Sequence, residues 1–66
     1  MADSYRFALK RKWTAVITHQ ETTLLHIAEL HDIYITAHPD IAEKIMSIFQ
    51  TQDAIKTAIE RLNETI

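Results

Sequence analysis

The chain has 66 residues with no cysteine, no glycine and a single proline; 47% are apolar, 24% are charged, and the formal net charge is −2. That length allows one domain over residues 1–66 and leaves a large share of its surface wet, and the missing cysteines exclude a disulfide framework and thiolate metal sites. The apolar and charged shares fit a folded domain, no run approaches the ~18 apolar residues of a membrane span, and the lack of glycine disfavours tight β-hairpins and favours helices.

The first segment, YRFALKRKW over residues 5–13, is basic. Arg6, Lys10, Arg11 and Lys12 face only Asp3 within residues 1–13, whereas the remainder carries eight carboxylates against Lys44, Lys56 and Arg61. Charge interrupts this stretch too often for a secretion signal, so the mature protein is expected to be the whole chain, in the cytoplasm. Four cations beside Tyr5 and Phe7 make a candidate contact for a phosphate backbone or another anionic partner. The competing expectation is that they brace the fold against Glu60 and Glu64, each exposed pair contributing about 0–1 kcal/mol.

From Leu9 onward, Trp13, Val16, Gln20, Thr23, Ile27, Leu30, Tyr34 and Ala37 alternate at spacings of four and three, and Ile17 and Leu24 widen the stripe. This heptad pattern predicts one long helix over roughly residues 3–36. A second reading stays open at Thr18, where Thr18 and Glu21 match a capping box and β-branched residues crowd positions 14–23; a break there makes a three-helix bundle. A third reading is a small α/β fold with strands over residues 12–18 and 32–37.

Thr36, Ala37 and His38 are the expected bend. Pro39 stops the preceding helix and suits the first position of the next, with Asp40 and Glu43 favourable near its N-terminus. Ile41, Ile45, Ile48, Ile55, Ile59, Leu62 and Ile66 then repeat the seam, with Gln52 filling its one gap. The expected architecture is all-α: a hairpin of two long antiparallel helices joined near residues 36–39, dimerising into a four-helix bundle because the stripe is too wide for two helices to cover.

Trp13, Val16, Gln20, Ile27, Leu30, Tyr34, Ile45, Ile48, Gln52, Ile55, Ile59 and Leu62 are the expected assembly seam, with Gln20 and Gln52 setting register and oligomer state. Ile33, Met46 and Phe49, off the main seam, are candidate contacts for another protein. His19 and His26 are seven apart, as are His31 and His38. Neither pair has the three- or four-residue spacing of helical zinc sites or the Glu-x-x-His of diiron bundles, so no metal and no cofactor is expected. Histidines near a helix interface can still make assembly sensitive to pH between about 5 and 7. Ser4 and Ser47 lack a glycine-bearing elbow, and no glycine loop exists to cradle phosphate, which argues against an enzyme.

The expected function is therefore protein–protein recognition by a small self-associating helical protein, an adaptor, inhibitor or regulator of another protein. A nucleic-acid-binding regulator using the basic segment and a structural subunit of a larger assembly are the alternatives.

Overall fold

A computed structural model describes the backbone of residues 2–66 and the side chains of residues 3–66. The chain is all-helical and folds as the expected hairpin: α1 spans Ala2–Tyr34 and α2 spans Pro39–Thr65, packed against each other. At 1.5 Å per residue the helices are about 50 and 40 Å long.

No break occurs at Thr18. Its hydroxyl donates to the Thr14 carbonyl oxygen at 3.0 Å, Thr14 does the same to Lys10 at 2.8 Å, and Thr22 to Thr18 at 3.3 Å. Each threonine satisfies its hydroxyl on the turn below, so the β-branched run stays helical and the Thr18 oxygen is not used as a cap. Thr51 and Thr57 repeat the device on α2, bonding to Ser47 and Asp53. Both the three-helix and the α/β readings fall on this point.

The bend is short and well bonded. Ile35 N–H donates to the His31 carbonyl at 2.9 Å and His38 N–H to the Tyr34 carbonyl at 2.7 Å, satisfying two of the last carbonyls of α1. Pro39 lies at the start of α2, and the backbone carbonyl of the N-cap residue His38 accepts from Ala42 N–H at 3.0 Å. The His38 side chain makes no capping bond; its ring instead lies 6.1 Å from that of Tyr34, tilted by 53°.

One hydrogen bond and one longer-range attraction mark the pairing of the helices. Asn63 Nδ2 donates to Thr14 Oγ1 at 3.5 Å, and the Glu21 carboxylate acts on the Lys56 ammonium. The antiparallel register they define places Trp13 level with Asn63, Ile17 with Ile59, Gln20 with Lys56, Leu24 with Gln52, Ile27 with Phe49, His31 with Ile45 and Tyr34 with Ala42. All of these residues are buried or half-buried. By the same register α2 ends level with Lys10, and α1 runs on beyond it by about two turns.

The Cα envelope measures 56 × 15 × 9 Å. The hairpin is thus a plate one helix thick, and among the described residues only Leu24 and Ala42 are buried apolar side chains.

Candidate protein-recognition face

Three columns of residues, each repeating every seventh position, run down each helix on the side toward its partner. The central column is Trp13, Gln20, Ile27 and Tyr34 on α1 and Ile45, Gln52, Ile59 and Ile66 on α2; all are half-buried. On one side of it lie Ile17, Leu24 and His31 with Ala42, Phe49, Lys56 and Asn63, and these close the hairpin. On the other side lie Leu9, Val16, Thr23 and Leu30 with Ile41, Ile48, Ile55 and Leu62.

That last column is largely uncovered. Val16, Leu30, Ile41, Ile48, Ile55 and Leu62 each expose between 36% and 53% of their surface, Thr23 is exposed, and Leu9 is half-buried. The sequence seam alternated between the central column and this one. Within the hairpin its members Trp13, Gln20, Ile27, Tyr34, Ile45, Gln52 and Ile59 meet the other helix, while Val16, Leu30, Ile48, Ile55 and Leu62 do not seal it.

In an antiparallel pair, corresponding flanks of the two helices fall on the same side. Thr14 against Asn63 and Glu21 near Lys56 mark one broad side of the plate. The uncovered columns of both helices therefore share the other broad side. The marked side is charged: Lys10, Glu21, Asp53, Lys56 and Glu60 lie along it. The Lys56 ammonium donates to Glu60 Oε1 at 2.9 Å, which raises its pKa above the usual lysine value, and Glu60, Glu21 and Asp53 add further attraction. On the opposite side the central and uncovered columns contain no Asp, Glu, Lys, Arg or His, and the next column out carries Lys12, His19 and His26 on α1 and Lys44 on α2.

Polar residues on that charge-free strip are few and clustered. Gln20, Gln52 and Thr23 lie within about one helical turn of each other in height, midway along the overlap of the two helices. Gln20 Oε1 is buried and has no hydrogen-bond partner within the chain, as is Asn63 Oδ1 on the other side.

The remaining expected contacts divide. Ile33 is 71% exposed and borders the charge-free face; Met46 is 37% exposed but lies on the charged side. Phe49 is half-buried inside the hairpin, level with Ile27, and so is turned away from any external partner. The bracing expected between the basic segment and Glu60 is overturned, because Glu60 takes Lys56. Among the described residues Arg6, Lys10, Arg11 and Lys12 form no ion pair, and the Arg11 guanidinium sits 5.9 Å from the centre of the Phe7 ring. The histidines do not converge: His19, His26 and His38 are exposed, and half-buried His31 has Nδ1 3.5 Å from Asp32. No helix is long and apolar enough to cross a membrane among the described residues.

The chain matches no family model, no curated protein and no solved structure.

The sequence pattern missed the roles of His31, Ala42, Lys56 and Asn63 in closing the hairpin. Only one signal pointed to them, a seven-residue repeat adjoining the apolar one, and their polar or small side chains concealed it.

Proposed function

We propose that the chain works by protein–protein recognition through the charge-free strip of its broad face, as an adaptor, inhibitor or regulator of another protein and not as an enzyme. The observation that carries this reading is the segregation of side chains: the central and uncovered columns form a strip free of ionisable groups, rimmed by Lys12, His19, His26 and Lys44, whereas Glu21, Asp53, Lys56 and Glu60 line the other side. An exposed apolar strip of that length, interrupted by Gln20, Thr23 and Gln52, is more than monomeric proteins usually leave uncovered. Absence of cysteine fits work in a reducing, cytoplasmic setting.

Site-specific photo-crosslinking tests the reading in the cells that make the protein. A benzophenone side chain replacing Ile48, on the charge-free face, is expected to capture a protein strongly; the same group replacing Met46, on the charged side, serves as control. Equal and weak capture at both positions overturns the reading.

A second reading rests on one specific observation, the four cations left without ion pairs in and just below the projecting end of α1. In that case a labelled oligonucleotide binds, and log affinity falls with log salt at a slope of up to about −3.6 if all four contact duplex phosphates. Replacing Arg6, Lys10, Arg11 and Lys12 together with Gln removes this binding. A native chain that binds no oligonucleotide even at low salt eliminates it.

A further inference from the structure

We infer that the occupant of the charge-free face is a second copy of this chain, and that two hairpins stack face to face as a four-helix bundle. The inference rests on the recognition reading above and names its partner. Three independent quantities lead to it.

The first is area. A compact monomer of 7.7 kDa exposes about 4,300 Å². The hairpin exposes 5247 Å², an excess of roughly 900 Å² over that expectation. Its broad face, 56 by 15 Å between Cα extremes with the projecting end of α1 included, has a footprint of up to roughly 800 Å², comparable to the area a standard-sized interface takes from each partner.

The second is shape. Covering this face needs another flat layer about as long as the hairpin, two helices wide, with a matching apolar strip along it. A second copy supplies that layer without any further requirement, and a two-fold axis pairs the same patch with itself. Val16 and Leu30 from α1 and Ile48 and Ile55 from α2 then leave water together, completing the bundle that a single hairpin leaves half built.

The third is the position of the polar residues. A two-fold axis lying across the helices maps the middle of the face onto itself and each end onto the other. Gln20, Thr23 and Gln52 are at the middle. Two copies therefore bring Gln20, Thr23 and Gln52 of each into one polar layer. A mid-bundle polar layer of this kind fixes register and partner number at some cost in stability.

The test is the mass of the full purified chain in solution by sedimentation equilibrium, from micromolar to submillimolar concentration. Twice 7.7 kDa is expected. Ile48→Asp should weaken self-association by on the order of a hundredfold or more, since it buries an unpaired charge, whereas Met46→Asp on the charged side should leave it nearly unchanged. Mixed samples of isotope-labelled and unlabelled chain give a second readout that needs no mutation: intermolecular methyl contacts are expected from Ile48 and Ile55.

A monomer throughout the concentration range, or a dimer that survives Ile48→Asp with no intermolecular contacts at Ile48 and Ile55, overturns the inference. A monomer whose Ile48 position still crosslinks a different protein in cells removes only the second copy and keeps the recognition reading. A monomer that captures nothing there removes both.

Discussion

Asn63 of α2 donates its amide to the Thr14 hydroxyl of α1 at 3.5 Å, while that same hydroxyl donates its own proton to the Lys10 carbonyl at 2.8 Å. The threonine is thus committed as an acceptor toward Asn63, and the pair pegs the two helices in register near their open end. Thr14→Val keeps the shape of the side chain and removes the acceptor. It should lower stability by about 0.5–1 kcal/mol, read as an earlier urea midpoint with an unchanged slope. An unaltered midpoint would mean the contact does not hold the register.

Gln20 presents the opposite situation, a buried acceptor with no partner inside the chain. Gln20→Leu removes an unsatisfied group and adds apolar surface, so the folded state should gain about 1–3 kcal/mol. Within the proposed bundle the same change also deletes the register-setting layer. The variant should therefore melt later yet sediment as a mixture of species, and a later melt with a single unchanged mass would count against the polar layer.

The start of α2 is open to improvement. His38 occupies the N-cap without a side-chain bond to the exposed backbone donors. His38→Asp supplies an acceptor and a negative charge at the positive end of the helix, worth about 1 kcal/mol. In a domain this small that raises the melting temperature by about 4–8 °C. No rise on thermal denaturation would show that the tilted contact between His38 and Tyr34 matters more than the cap.

Lys56 gives a pH signature. Its folded pKa lies above the ordinary 10.5 because its ammonium donates to Glu60. A raised lysine pKa stabilises the fold at every pH below the unfolded value, and that contribution is lost as pH rises through the folded one. Comparing the native chain with Lys56→Met cancels what other groups do. The difference in melting temperature should stay constant from neutral pH to about 10, then move in favour of the methionine variant above 10.5. A difference that is flat through the alkaline range would show the pair makes no net contribution.

The two long helices and the bend were legible because their signals are local: a seven-residue repeat without a register change, and Pro39 directly after His38. The choice between one helix and two at Thr18 was not, since capping boxes and hydroxyls bonded to the preceding turn use the same residue types. The candidate face was legible as a stripe but not as a face. Ile48 and Phe49, or Leu30 and His31, flank the central column equally, so periodicity cannot tell which flank closes the hairpin. Hydrophobicity favours Ile55 over Lys56, yet the lysine stem covers the seam while its ammonium reaches Glu60. Which flank faces inward is decided by the pairing of two helices, information no single helix contains.

The central column of each helix borders both the closing seam and the open face. Trp13, Ile27, Ile45 and Ile59 are only half-covered by the hairpin, so the layer that covers the face also finishes burying them. In the proposed bundle folding and assembly would draw on the same side chains, and neither would be complete without the other. The amount of chain present would set the fraction folded, with scarce copies left open to proteases and abundant ones protected. Expression level itself would act as the threshold for having a working protein.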